Sequence, residues 1–233
     1  MEEFKQQFYL NFIEDSRWKY ITNGLGTTFI VTIFAILLGV ALGFIIALIR
    51  STADKSKSKN VVLKLLDGIC KLYLTVIRGT PAMIQLLIIY YIIFGSSDVS
   101  KQFVAILSFG INSAAYVAEI FRSGIMSIDQ GQFEAGRSLG FGYGQTMWYI
   151  IAPQAFKNVL PALANEFITL LKETSICGYI ALTDITHGAN IIRSQTYSPI
   201  LPLLAAAAIY LVIVSLLTFG VGRLERRLRT DVR

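Results

Sequence analysis

From Thr22 to Ile49 the chain runs for 28 positions without a charged side chain, and from Ser198 to Gly222 for another 25. A helix rises 1.5 Å per residue, so either run crosses a hydrocarbon core about 30 Å thick. Composition agrees: 54% of residues are hydrophobic and only 15% charged, against about 25% charged in a soluble domain. A soluble globule, a disordered chain and a fibrous repeat are excluded. The first twenty residues carry Glu2, Glu3, Glu14 and Asp15, where a signal peptide places a basic tract and an apolar core. Cys70, Cys177 and His187 are too few and too scattered for a disulfide framework or a metal site.

Lysines and arginines set the orientation, because they are retained on the cytoplasmic side. Arg50, Lys55, Lys57, Lys59 and Lys64 follow the first run; Arg223, Arg226, Arg227, Arg229 and Arg233 follow the last. The N-terminus is therefore expected outside and the C-terminus in the cytoplasm, which requires an odd number of crossings. We read an all-α integral membrane chain, residues 1–233 forming one domain with five spans. These are about 22–49, 62–96, 101–125, 158–178 and 198–222. The second is kinked near Gly79-Thr80-Pro81, where proline removes a donor and clashes with the preceding turn. The apolar run 138–156 contains Gly140, Gly142, Gly144 and Pro153. It reads as short helices in a cytoplasmic loop of about 127–153.

That loop contains Glu134-Ala135-Gly136, then Gly140, Ile150 and Pro153. The spacing resembles the "EAA" loop of ATP-binding-cassette importer permeases, with Gly136 in place of the second alanine. Arg78-Gly79-Thr80-Pro81 with Gln85, Ala115 to Arg122 with Gly124-Ile125, and Asn165, Lys172, Thr174 and Ser175 are similar to segments of the polar amino acid branch. The resemblance spans about residues 22–225 and is closest to permeases for histidine, arginine, lysine, glutamine and glutamate. It implies the type I importer permease fold in a bacterial cytoplasmic membrane. It also implies two ATPase subunits that bind ATP and Mg²⁺, a second permease copy forming a homodimer, and an extracellular substrate-binding protein. No cofactor, catalytic residue or metal site is expected in this chain, and no nucleic-acid partner. On this reading Glu134, Ala135, Gly136, Gly140, Ile150 and Pro153 form the coupling segment. Ala135, Gly136 and Gly140 give it a small-residue docking face, and Glu134 lies near a helix start, which favours acids. Gly131 to Ser138 nearly spells a phosphate loop, but Arg137 stands where lysine is required and no strand precedes it.

Ionisable groups inside the bilayer need partners or water. Arg78, Glu119, Arg122, Glu166, Lys172 and Glu173 are the candidates. Glu119 and Arg122 are three apart and can pair. Asn112, Ser113, Tyr116 and Glu119 share one helical stripe, which faces a partner helix or a cavity. Glu166 has no basic residue one helical turn away. Two arrangements satisfy it: an ion pair with Arg78, or a cationic substrate. In the second, Asn165, Tyr116, Ser113 and Thr80 supply hydrogen bonds and the freed backbone at Gly79-Thr80 meets the substrate's α-carboxylate or α-ammonium group. Asp184, His187 and Arg193 are expected in outside loops, with His187 exposed. The expected function is ATP-driven import of basic amino acids by alternating access. The alternatives are a glutamine or glutamate permease of the same family, an ion-coupled secondary transporter, or a membrane enzyme. The halves show no inverted repeat of the kind a secondary transporter carries. The spans show neither a metal pair nor a Ser–His constellation.

Overall fold

The computed structural model describes residues 2–55 and 61–230. Lys57, Lys59 and Arg233 of the orientation argument lie outside the described residues. Every regular element among the described residues is helical. In order they are α1 (Glu2–Phe8), α2 (Trp18–Lys55), α3 (Val61–Gly79), α4 (Ala82–Ile88), α5 (Lys101–Met126), α6 (Gln130–Ser138), α7 (Tyr143–Thr146), α8 (Ala152–Glu173), α9 (Ile185–Thr196) and α10 (Ile200–Thr230). Wider π turns occupy 9–13, 89–93 and 147–151, and tighter 3₁₀ turns 14–16 and 174–180.

Helices α2 and α5 form the centre and run parallel. Their contact is made by glycines, because within a bilayer close backbone approach replaces hydrophobic collapse as the source of association. A Cβ added at Gly39 would stand 3.0 Å from the Ser113 side chain, and one at Gly110 would stand 2.6 Å from Leu38. At Gly43 it would lie 2.7 Å from Val117 and 2.8 Å from the Ala114 carbonyl oxygen. Gly39 and Gly43 are four residues apart on one face, the spacing of a small-residue packing motif. Helix α9 closes on α2 in the same way. A Cβ at Gly24 would reach 2.3 Å from the Asp184 carbonyl oxygen, and one at Gly188 would reach 2.5 Å from that of Tyr20. Helix α8 lies antiparallel to α5, with Gly124 against Val159. The main core gathers Val31, Ala35, Leu86, Ala105, Phe109 and Leu170 from α2, α4, α5 and α8. The outward faces stay apolar, as at Phe34, Leu37, Leu211 and Leu216.

Among the described residues three helices, α2, α5 and α10, are long and apolar enough to cross a membrane by themselves. The second span is broken where the sequence places the break: α3 and the stretch 82–93 meet at 108°. Pro81 cannot donate, and its ψ of 136° takes the chain out of the helix. Gln85 repairs the break. Its amide donates to the carbonyl oxygens of Ile77 (2.8 Å) and Thr80 (3.1 Å) and to Thr80 Oγ1 (2.8 Å). Asn112 on α5 donates to Gln85 Oε1 at 2.9 Å. The expected fourth span, 158–178, is shifted. Helix α8 ends at Glu173, and at its start α7, the π turn and α8 follow one another without a loop, so Pro153 lies inside helix rather than at a loop's end. The π turn pairs the Ala152 amide with Met147, immediately before the amide that Pro153 lacks. Asp184 and His187 are not exposed loop residues. Asp184 is fully buried and caps α9, accepting from the amides of Thr186 (2.9 Å) and His187 (3.1 Å). His187 is half-buried on that helix.

The close packing of α2 on α5 gives a direct test. Gly43→Ala forces its methyl onto the backbone of α5 and is expected to destabilise the purified protein by roughly 1–3 kcal/mol. Gly26, where an added Cβ meets nothing within 4 Å, is the control, and Gly26→Ala should leave the melting temperature unchanged or slightly raised. Equal melting temperatures for the two variants would contradict the contact.

Candidate functional site

Two facing stripes, one on α5 and one on α8, enclose a cleft of about 540 Å³. Tyr116, Glu119, Ser123 and Ser127 line it from α5 and its end; Asn158, Ala162 and Glu166 line it from α8. The polar stripe on α5 follows from helical spacing, and the glycine contact with α2, where Gly39 meets Ser113 itself, fixes how α5 is turned. Ser113, itself fully buried, donates to Glu166 Oε1 at 2.8 Å. Ser113 is twelve residues from the start of α5, about 18 Å along the axis. Asn158 donates to Ser127 Oγ at 2.9 Å near the other end of the cleft. Among the described residues no lysine or arginine lines the cleft, whose walls carry Glu119 and Glu166.

Arg78 is engaged elsewhere. Its guanidinium stands 4.0 Å from Glu119 and lies over the Tyr116 ring, 5.9 Å from the centroid. An ion pair of Arg78 with Glu166 is thus not what the structure contains. Glu119 is shared: Arg50 and Arg122 also approach it at 4.0 Å. Behind Arg50, at 3.5 Å, lies Asp67, which Lys71 holds at 2.6 Å; Asp54 is 3.4 Å from Arg122. Glu119 and Arg122 do approach each other, as their spacing foretold, but as part of this wider network joining α2, α3 and α5. Asp67 and Arg50 escaped the sequence analysis because each sits among lysines and arginines that read as a cytoplasmic flank.

Thr80 and Asn165 do not occupy the places expected of them. The Thr80 hydroxyl donates to the Val76 carbonyl at 2.8 Å and accepts from Gln85, and the carbonyls of the break are taken by the Gln85 amide. The Thr80 hydroxyl is thus engaged within its own break, while Gly79 and Thr80 both remain exposed. Asn165 is exposed and does not line the cleft. Asn112 and Gln85 stitch the break. The sequence singles out both, Gln85 beside the Arg78–Pro81 segment and Asn112 in the α5 stripe, but not that they bond each other.

The segment from Asp129 to Pro153 has its own small core of Ile128, Phe133, Ile151 and Ala155. Asp129 caps α6 by accepting from Gly131 N at 2.7 Å, so Glu134 is the fifth helical residue rather than one near the start. Glu134 and Ala135 are exposed, but Gly136 is buried. A Cβ there would stand 2.5 Å from Thr146, so its smallness serves packing against α7 and not an outer docking face. Gly140 has φ +81° and open space around its missing Cβ. The amide of Gly140 bonds the Arg137 carbonyl (2.9 Å) and that of Phe141 the Gly136 carbonyl (3.0 Å). This is a Schellman ending, which puts its residue in the left-handed region and so favours glycine. Ile150 is half-buried against the small core, and Pro153 is exposed at the start of α8. The outer surface of the segment is instead aromatic: Trp148 is 71% and Tyr149 67% exposed, beside Leu139 and Tyr143.

Residues 39–230 match the family described as binding-protein-dependent transport system inner membrane component. The arginine transport system permease protein ArtQ of Bacillus subtilis is 36% identical, over 91% of this chain and 94% of that protein. A putative glutamine transport system permease protein GlnP of Rickettsia typhi is 37% identical, over 90% and 93%. The solved structure of an amino acid ABC transporter with histidines matches with a TM-score of 0.81 at 40% identity, covering 93% of this chain and 98% of its own. An inward-facing MetNI methionine ABC transporter shares the fold at 18% identity and a TM-score of 0.73, covering 91% and 97%. Parallel α2 and α5, the broken helix before α5 and the capped segment between α5 and α8 thus belong to a known architecture, and the chain is a member of the binding-protein-dependent transport system inner membrane components, the non-catalytic permease subunits of ABC importers.

Proposed function

We propose that this permease carries cationic amino acids, of the arginine, lysine and histidine type, through the cleft between α5 and α8. The carrying observation is that Glu166 faces the cleft with Ser113 as its hydrogen-bond donor, while Arg78 is drawn to Glu119 and Tyr116. A carboxylate with no cation beside it inside a membrane chain suits a cationic ligand. Tyr116 offers a ring face to the same charge, and the half-exposed Arg78 guanidinium at the mouth suits the α-carboxylate. Relatives named for arginine and for glutamine are almost equally similar, so the choice rests on the cleft. A glutamine-type permease of the same fold is the second reading. Glu166→Gln keeps the shape and removes the charge. Apparent affinity for arginine and lysine is expected to fall about tenfold or more, the range for losing a charged hydrogen bond, with basal ATP hydrolysis retained. Unchanged arginine uptake, or a wild-type preference for glutamine, would favour the second reading.

Five crossings account for the helix directions. Parallel α2 and α5 require one return between them, supplied by the bent pair 61–93. Helix α8 runs back, so that Lys101 Nζ at the start of α5 bonds the Ala181 carbonyl at 3.3 Å. Helix α10 then starts beside the first turns of α2, with Ala206 packed near Ile21. Helix α8 is about 33 Å long but carries Lys157, Glu166, Lys172 and Glu173, which keeps it below the apolarity of a lipid-exposed span. Asn158 and Glu166 face the cleft, while Asn165, Thr169 and Lys172 stay exposed. With the N-terminus outside, Ser97→Cys should be labelled only from outside and Tyr143→Cys only from the cytoplasm. Labelling of Tyr143→Cys from outside would remove the five-span arrangement.

On this reading two identical copies in the bacterial cytoplasmic membrane enclose the pathway, and an outer binding protein delivers the substrate. Two ATPase subunits, binding ATP and Mg²⁺, dock on Glu134, Ala135 and the aromatic surface of the 139–149 stretch. Gly140 positions that surface through its backbone. Gly140→Asn and Gly140→Val add similar bulk, but only asparagine tolerates the left-handed region. Substrate-stimulated ATP hydrolysis should survive in the first and fail in the second; equal loss in both would place Gly140 in the docking contact itself.

A further inference from the structure

Helix α3 has three faces. Asp67, Cys70 and Leu74 are buried toward α2 and α5. Leu65, Ile69, Leu72 and Val76 are 50–66% exposed and apolar, a surface for lipid. The third face is also exposed but polar. It holds Lys64, Gly68, Lys71, Thr75 and Arg78, spaced four, three, four and three apart. On an ideal helix this spacing confines them to a sector of about 80°. Lys71 is 55% and Arg78 47% exposed. Lys71 sits ten residues into the helix, about 15 Å from its start, too deep for its amine to rest against lipid without water.

The polar face continues into the site already described. Arg78, at its end, stands over Tyr116 and against Glu119, both of which line the α5–α8 cleft. We infer that this face of α3 lines the water-filled route between the cleft and the cytoplasm, and that Arg78 and then Lys71 are successive contacts for the substrate's α-carboxylate. The inference rests on the permease reading but not on the cationic preference, because every amino acid carries that carboxylate. Lys71 is held to Asp67 at 2.6 Å, and Asp67 also faces Arg50. A carboxylate arriving at Lys71 therefore competes with Asp67, and Asp67 retains Arg50 when Lys71 turns away. No covalent step is involved.

The test uses the permease assembled with its ATPase in proteoliposomes, with Cys70 and Cys177 replaced by alanine. Thr75→Cys lies on the polar face and Leu72→Cys on the apolar one. Membrane-impermeant thiosulfonates should modify Thr75→Cys and stop uptake, and should leave Leu72→Cys unmodified. The anionic reagent should react about tenfold faster than the cationic one at Thr75→Cys, because Lys71 and Arg78 set a positive local potential. Adding Lys71→Gln should erase most of that difference, and Lys71→Arg should keep it. Silence at both cysteines would mean that the face is covered by protein, and equal reaction at both would mean that the faces do not differ; either result overturns the inference. So would reaction at Thr75→Cys with no charge preference. Labelling reads the face of α3 whichever amino acid is carried, so failure of the cationic assignment leaves this result unaffected.

Discussion

The close contact between α2 and α5 positions everything else in the bundle. Lipid tails are as apolar as leucine, so burying a leucine against a second helix gains little within a bilayer. What holds α2 to α5 is the approach of two backbones where Gly39, Gly43 and Gly110 carry no side chain. One side of α5 is thereby fixed, and its polar stripe has only two directions left. Asn112 turns toward the break between α3 and α4 and meets Gln85; Ser113 turns toward α8 and meets Glu166. Ser113 reaches Glu166 while its side chain also lies against Gly39 of α2.

Charge is distributed by the same geometry. The arginines gather on one side of α5, where Arg50, Arg78 and Arg122 share Glu119 at distances longer than a hydrogen bond. Each ion is partly satisfied and none is locked. Tight buried pairs resist rearrangement because separating them leaves an uncompensated charge. The three arginines around Glu119 stand at 4.0 Å, so none of these pairs is a tight one. Glu166 faces the same cleft from α8, next to the Ser113 hydroxyl rather than an arginine.

The glycines of the 129–153 segment show how one residue type serves unrelated ends. Gly136 is small because Thr146 lies against it, and Gly140 is glycine because its φ is +81°. Neither supplies the flat outer face that a run of small residues suggests. The surface they support is aromatic, with Trp148 and Tyr149 outermost. Packing inside the segment is thus carried by residues other than those that form its outer surface.

The sequence alone determined that the chain is helical and membrane-embedded, where three of its spans lie, and which family it resembles. Charge-free length and motif spacing are local properties and survive in one dimension. Pro81 marked a break, and Asn112, Ser113, Tyr116 and Glu119 declared a shared face through their spacing. Only the tertiary structure decided what that face meets. Arg78 takes Glu119 rather than Glu166, Thr80 is bonded within its own break, and Asn165 points away from the cleft. Partner choice depends on distances between residues 40 to 90 apart in the chain, which helix periodicity does not encode. The extent of α8 was hidden for a similar reason. Glycines and Pro153 read as loop signals, whereas a π turn and contacts with Phe133 and Ile128 keep that stretch helical.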